Sequence, residues 1–390
     1  MISSISFLNR VCVLLFASFL CLSGCTSTKE EVRREAHTRG VEFPIAIFPI
    51  ENLSGTMAPL KEIERSLTNR LNTKGLHVLE EEALEKFMAR NRVRYTGGID
   101  QPMAQARRKE TGTEGVLITS LELYSDSNPP KIALTSRLVS TGDDPIILWI
   151  EGVGFAGDDS PGILGLGLIE DPRALLEKAL ETLAGSLGEY LDKKTEREDL
   201  KHLGKKFRPK ASYRSDILDT DRKYTVAILP FVNRSARKNA GEVMVLHFVR
   251  SMKKLEDLDV IEPGVVRQQL LALRMIIEEG PSLANADALF AILNADLILT
   301  GKIMDYQDYQ GTYGSARVDF SAQLIERKSR RVVFSSVSHN EGDDGVILFD
   351  WGRVNTAHAM ASQMTQLIGK MILEDSKRVQ GSKRSSGQAK

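Results

Sequence analysis

The chain has 390 residues, 52 basic and 52 acidic side chains, and three cysteines. This length exceeds what one hydrophobic core usually supports, so two domains are expected. Balanced charge supplies no positive field for nucleic acid, and we expect no nucleic-acid partner. Because Cys12, Cys21 and Cys25 all lie near the N-terminus, the rest of the chain has no thiol for a disulfide or a cysteine-based metal site.

Residues 1–24 are predicted to be a secretory signal peptide. Arg10 precedes an apolar run, Val11 to Leu20, that is too short to span a bilayer. The next four residues, Leu22-Ser23-Gly24-Cys25, resemble the lipobox of bacterial lipoproteins, in which the cysteine is acylated and becomes the N-terminus. The resemblance implies lipid attachment, for example of palmitate, at Cys25. The alternatives are an ordinary signal peptide and a short transmembrane anchor.

The expected location is the outer membrane, with the protein facing the periplasm and held by its N-terminal acyl chains. Each buried methylene contributes about 0.8 kcal/mol, so several acyl chains anchor a protein without a membrane-spanning helix. Thr26 follows the cysteine. An Asp at that position resembles the inner-membrane retention signal of diderm lipoproteins, so its absence favours the outer membrane. Residues 25–42 are predicted to form a polar tether.

An internal repeat organises the remainder of the chain. Similar segments recur at a spacing of about 181 residues, which is typical of a duplicated structural unit. The matching segments are 46–54 with 227–235, 77–80 with 259–262, 116–119 with 297–300, and 157–159 with 342–344. We predict two copies of one domain, at 43–191 and 223–373, joined by a basic linker at 192–222. A disordered basic tail at 374–390 follows.

Both copies have the same predicted order of elements. A β-branched strand leads into a helix, followed by a short strand, two helices, a long buried strand, a hairpin and a long final helix. The hairpin strands are 132–139 with 145–155 in the first copy, and 316–325 with 331–337 in the second. This order predicts an α/β fold, with two tandem mixed sheets flanked by helices. An α+β arrangement is the alternative.

The second copy carries a distinctive sequence pattern. It consists of Val-Ala-Ile-Leu-Pro-Phe from Val226, Val-Ile-Glu-Pro at 260–263, and Ala-Asp-Leu-Ile-Leu-Thr-Gly-Lys-Ile at 295–303. The pattern resembles the domain shared by curli-secretion-type lipoproteins, the N-terminal domain of TolB-type proteins, and lipoprotein activators of penicillin-binding proteins. The resemblance implies non-enzymatic envelope proteins that bind partners, oligomerise or form secretion channels.

Two functions follow as expectations. The first is a non-enzymatic outer-membrane lipoprotein that binds a periplasmic or outer-membrane protein partner or organises an envelope assembly, with homo-oligomerisation left open. The alternative is an oligomeric, channel-forming secretion lipoprotein of the curli-secretion type. Trp351, Tyr306 and Tyr309 are the candidate docking residues, because aromatic side chains dominate many protein interfaces. The alternative for Trp351 is that it packs the last helix against the sheet.

The sequence motifs do not favour catalytic activity, cofactor binding or metal binding. Residues 152–157 match the spacing of a dinucleotide-binding glycine motif, but no helix starts within them. The six histidines lack the short spacing of zinc hydrolases. Asp158-Asp159, and Asn52 with Ser54, are predicted to form turns, the latter also capping the first helix. Glu262 is predicted to complement a helix N-terminus.

Overall fold

The computed structural model describes residues 43–159, 167–193, 206–219, 222–309, 314–346 and 352–373. Cys25 and Trp351, like the predicted signal peptide, tether and tail, lie outside these ranges. The described residues form eight helices and two mixed sheets, so the predicted α/β class is confirmed. None of the helices in these ranges is long and apolar enough to cross a membrane.

The first half, residues 43–193, contains a five-stranded sheet. Its strands are β1 (Ile45–Ile47), β2 (Glu51–Asn52), β3 (Gly115–Ser125), β4 (Lys131–Ser140) and β5 (Ile147–Ala156). Its helices are α1 (Leu60–Thr73), α2 (Glu81–Arg90), α3 (Gln101–Thr111) and α4 (Pro172–Lys193). Strands β1 and β2 pair in parallel with β3, whereas β3, β4 and β5 form an antiparallel meander.

Local sequence accounts for the helix ends. The Asp100 carboxylate accepts a hydrogen bond from the Met103 amide at 2.9 Å, and Pro102 occupies the first turn of α3. The helix stops at Gly112, whose φ of 67° suits a residue without a side chain. In α1 the buried residues Ile63, Leu67 and Leu71 recur at helical spacing, as the sequence pattern predicts.

The second half, residues 206–373, contains a seven-stranded sheet in the order β6-β12-β11-β10-β7-β9, with β8 beside β10. Its strands are β6 (Ala211–Arg214), β7 (Tyr224–Ile228), β8 (Val232–Asn233), β9 (Leu258–Val260), β10 (Leu297–Gln307), β11 (Arg317–Glu326) and β12 (Val332–Glu341). Its helices are α5 (Ala240–Lys253), α6 (Pro263–Ala272), α7 (Leu283–Leu293) and α8 (Ala357–Leu373). The path from β7 through β10 to the β11–β12 hairpin repeats that of β1, β3, β4 and β5.

The strand registers define which positions of the two sheets are equivalent. Ala46 pairs with Val116, and the matching Ala227 pairs with Ile298. The sequence match of Val116 with Leu297 is therefore wrong by one residue. Both central strands are continuous apolar runs, and such runs lack the alternation that would reveal their register.

Part of the predicted linker belongs to the second sheet. Residues 211–214 form β6, which pairs with β12 so that Tyr213 lies opposite Ser335. Phe207 and Leu218 on either side are buried. The assignment of all of 192–222 to a linker is thus wrong, because the open edge of β12 offers backbone groups that a passing segment can pair with. The start of the segment prolongs α4.

Helices α5 and α8 lie between the two sheets. Helices α1 and α4 cover one face of the first sheet, and α6 and α7 pack on the second sheet. The opposite face of the first sheet shares one hydrophobic core with α5, α8 and the second sheet. Eleven of the fourteen residues of α5 are buried, against three of fourteen in α1. A helix buried on all sides is the expected result of packing between two sheets.

The backbones of the two halves meet at two glycines. A β-carbon on Gly264 would lie 2.4 Å from the amide nitrogen of Ile99, and one on Gly98 would lie 2.7 Å from the α-carbon of Gly264. Neither distance is compatible with a side chain. The backbone at the N-terminal turn of α6 therefore lies too close to the backbone of the first half for either glycine to carry a β-carbon.

We expect Gly264→Ala to destabilise the protein by roughly 1–3 kcal/mol, because the added methyl group forces the two backbones apart. The matched control is Gly185→Ala in α4, where the new methyl group meets open space. That change should stabilise the helix by about 0.5–1 kcal/mol. Urea unfolding measures both values, and equal effects of the two substitutions would contradict the close approach.

Candidate functional site at the interface of the two halves

The interface contains a buried cluster of one carboxylate and two imidazoles. Glu122 follows the core residue Leu121 and lies on the opposite face of β3, under α5 and α8. Its Oε2 atom is 2.6 Å from Nδ1 of His358 in α8 and 3.6 Å from Nε2 of His247 in α5. Glu122 is 1% exposed, His358 3% and His247 2%.

Two glycines of β5 make room for this cluster. A β-carbon on Gly154 would lie 2.5 Å from Cδ2 of His358, and one on Gly152 would lie 3.4 Å from its Cε1. These residues belong to the glycine motif in the sequence. Because they sit within a strand and contact an imidazole, their role is to admit α8 onto the sheet.

The protonation states of the cluster follow from its burial and its charges. Burial by itself would raise the pKa of Glu122, but His358 and His247, with hydrogen bonds from His358 and Thr135, lower it to about 2. Burial lowers the pKa of His247 to about 3, against the opposing effect of Glu122. At neutral pH the cluster therefore combines a carboxylate with a neutral His247. Neither group holds an extra proton under these conditions, so both keep their lone pairs free.

Two ring nitrogens of the cluster are unsatisfied. Nδ1 of His247 and Nε2 of His358 are buried and have no hydrogen-bond partner among the described residues. Buried polar atoms usually have a partner, so both need an explanation. The Oε1 atom of Glu122 is satisfied, since the Thr135 hydroxyl donates to it at 2.5 Å.

A fully buried ion pair also joins the halves. The guanidinium of Arg137 in β4 donates from Nε and Nη2 to the Glu262 carboxylate at 3.0 and 2.8 Å, and from Nη2 to the Gly97 carbonyl at 2.6 Å. Neither charged side chain is exposed. Glu262 also accepts a hydrogen bond from the Gly264 amide at the start of α6, so it complements this helix N-terminus as predicted. The shorter hydrogen bonds of Glu262 are those from Arg137, which belongs to the other half.

Tyr306 and Tyr309 contact the interface rather than solvent. The Tyr306 hydroxyl is 3.2 Å from Nε2 of His247. The Tyr309 hydroxyl donates to Asp158 of the first half at 2.6 Å, and Lys131 lies over its ring. Both side chains are buried. The prediction that they are docking residues is therefore wrong, because neither is exposed to a partner. They attach the second half to the first, and the role of Trp351 stays a prediction.

The predicted turn residues are placed as expected, with one correction. Asn52 accepts from the Ser54 amide at 3.0 Å, and Asp159 accepts from the Ala156 amide at 2.7 Å. Equivalent bonds occur at Asn233 and Asp344. The prediction that Asn52 or Ser54 caps the first helix is wrong, because α1 begins later, after Pro59.

A cavity of about 340 Å³ lies beside the Arg137–Glu262 pair. Its polar lining includes Glu51, Tyr95, Glu242 and Arg267. Burial raises the pKa of Glu51, although the Ser120 hydroxyl donates to it at 2.8 Å and opposes this effect. The cavity therefore presents acidic groups and one guanidinium between the two halves.

Comparisons with known proteins identify only partial likenesses. No family model and no curated protein matches the chain. The PelC dodecamer structure from Paraburkholderia phytofirmans aligns at 14% identity and a TM-score of 0.30, over 42% of this chain and 96% of PelC. Lipoprotein GNA1162 from Neisseria meningitidis aligns at 17% and 0.28, over 37% and 98%. The LpoB C-terminal domain from Salmonella enterica aligns at 11% and 0.25, over 32% and 87%.

We expect Arg137→Met to lower the free energy of unfolding by about 3–5 kcal/mol, because Glu262 would remain buried without a counter-charge. The double variant Arg137→Met/Glu262→Leu should recover most of this loss. Arg317→Met, which removes an exposed ion pair with Glu341, is the control and should cost less than about 1 kcal/mol. Urea titration of the wild type and the three variants measures these differences. A double variant as unstable as Arg137→Met would contradict the ion-pair explanation.

Proposed function

We propose that the protein is a non-enzymatic, lipid-anchored outer-membrane protein that binds a periplasmic protein partner through its second sheet. The observation that carries this proposal is an asymmetry between the two halves. In the first sheet, the face bearing Glu122 is covered by α5 and α8. In the second sheet, the equivalent face is exposed over β11 and β12, as far as the described residues define it.

Equivalent positions show how the exposed face differs from the covered one. The pairs defined by the strand registers are Glu122 with Met304, Gly152 with Val337, and Gly154 with His339. Larger side chains replace both glycines. The second sheet therefore lacks the space that admits His358 onto the first sheet, and α5 and α8 of another copy would not fit there in the same way. This difference favours a distinct protein partner.

The chemistry of the exposed face suits a protein surface. Val337 on β12 and Met304 on β10 are 50% and 54% exposed, and they are apolar residues of this face. Around them lie an Asp319–His339 contact of 3.2 Å and the Arg317–Glu341 ion pair. Protein interfaces commonly contain apolar side chains together with polar and charged ones. We infer a partner whose surface offers apolar side chains flanked by charges of both signs.

The packing of the hairpins supports this function over the channel-forming alternative. The β4–β5 hairpin contributes to hydrophobic cores on both of its faces. The β11–β12 hairpin packs through Val318, Phe320 and Phe334 against the shared core that contains α5 and α8. A strand that faces lipid has about 9–11 residues, and the alternate side chains on its lipid-facing side are apolar. The outer side of β11 instead carries Arg317, Asp319 and Gln323.

Val337→Asp should reduce partner recovery by about tenfold or more, because a carboxylate would be buried at the centre of the interface. The full-length lipoprotein is used as bait on detergent-solubilised envelopes, and the captured partner is quantified by mass spectrometry. The control is Met57→Asp, which changes an exposed apolar residue in the first half. Equal recovery by Val337→Asp and Met57→Asp at unchanged melting temperature would contradict binding through this face.

Cys25→Ala should release the protein from washed membranes, since the acyl chains provide the proposed anchor. Membrane fractionation measures the change, and mass spectrometry of the wild type should detect the added lipid. A substitution of the neighbouring Thr26→Ser serves as the control and should leave the protein attached. Retention of Cys25→Ala in washed membranes, with no lipid on the wild type, would overturn the lipoprotein assignment.

A further inference from the structure

We propose that Glu122, His247 and His358 bind one Zn²⁺ ion that fastens the two halves of the protein together. This structural metal site goes beyond the proposed partner binding. Each half contributes to it, because Glu122 belongs to β3 and the two histidines belong to α5 and α8. The fold thus assembles three residues whose sequence positions give no metal-binding spacing.

The distances are close to those of a metal site. One ligand atom from each residue can be chosen so that all three lie within 4.8 Å of one another. Ligands at the usual Zn²⁺ distances in a tetrahedral site are about 3.3 Å apart. The 3.6 Å between Glu122 and His247 matches this value, and the 2.6 Å between Glu122 and His358 requires an opening of under about 1 Å.

The contact between Glu122 and His247 is not a hydrogen bond. The 3.6 Å between Glu122 Oε2 and His247 Nε2 is too long for a hydrogen bond. The candidate ligand atoms are the ring nitrogens that face the carboxylate, Nε2 of His247 and Nδ1 of His358. The opposite ring nitrogens, which are buried without a partner among the described residues, are not part of this set. A metal ion would explain why two imidazoles, with ring centres 4.7 Å apart, converge on one carboxylate oxygen.

A neighbouring hydroxyl supports the carboxylate ligand. The Thr135 hydroxyl binds Oε1 of Glu122, which orients the carboxylate and leaves Oε2 for the metal. The Tyr306 hydroxyl, 3.2 Å from His247 Nε2, is one additional oxygen that lies close enough to be a candidate for a fourth position.

The ligand set also selects among metal ions. Two imidazoles and one carboxylate suit Zn²⁺, whereas Ca²⁺ requires six to eight oxygen ligands and Mg²⁺ an octahedron of oxygens. Arg237 and Arg250 add positive charge near His247. This charge opposes every divalent cation, so binding must rest on coordination by imidazole nitrogen, which Zn²⁺ accepts and Ca²⁺ and Mg²⁺ do not favour.

The test uses the full-length protein in detergent, stripped with a chelator and dialysed. Calorimetric titration with ZnCl₂ should give one ion per chain, and Co²⁺ in its place should develop the visible absorption of a tetrahedral site. The melting temperature should rise when Zn²⁺ is restored. Absence of stoichiometric Zn²⁺ binding by the wild type would overturn the proposal.

Variants identify the ligands. His247→Gln and His358→Gln should each weaken Zn²⁺ binding by more than about 100-fold, and Thr135→Ala, which keeps all three ligands, by about tenfold. His339→Gln removes an exposed histidine beside a carboxylate and should bind as the wild type does. Circular dichroism verifies folding of each variant. If the folded Thr135→Ala and His358→Gln proteins bound Zn²⁺ as tightly as His339→Gln, the ion would lie elsewhere and the assignment would be wrong.

Discussion

The structure depends on the burial of one face of the first sheet beneath helices of the second half. That face carries Glu122 and Arg137, so covering it removes two charges from water, at a cost of several kcal/mol for each unpaired ion. The second half offsets this cost with His358 and Glu262, which reach the two charges from α8 and from the start of α6. The relative position of the halves is therefore determined by charge pairing as well as by apolar packing.

Much of the fold could be predicted from the sequence, because it rests on local patterns. Apolar residues at helical spacing identified α1, and the alternation in β11 identified a strand with one packed face. The repeated segments indicated a common strand path. Two predictions failed where the sequence pattern gives no signal. They are the matching of β3 with β10, which was wrong by one residue, and the assignment of β6, which was missed. A continuous apolar run has no register, and an exposed four-residue edge strand has no apolar signature.

The site could not be predicted in the same way, because its members meet only in three dimensions. Glu122, His247 and His358 come from three elements, and nothing in their spacing along the chain relates them. One signal was available: α5 is apolar on all sides around His247, which indicates a helix with neighbours on every face. Tyr306 and Tyr309 show a different error, because they were predicted to bind a partner and are buried between the two halves. Aromatic residues at the end of a strand can pack in an internal interface as well as in an external one.

The dependence of the first sheet on α8 also has a consequence for the order in which the chain folds. Helix α8, residues 357–373, is the last element of the described chain to be synthesised, yet it supplies His358 to Glu122 of β3. Until it arrives, the first half exposes apolar sheet surface around a carboxylate and a guanidinium. A nascent chain that has completed β5 has thus not completed a stable unit. Truncations that remove only the C-terminal helix should unravel the N-terminal half as well, and folding becomes a single late event for the whole molecule.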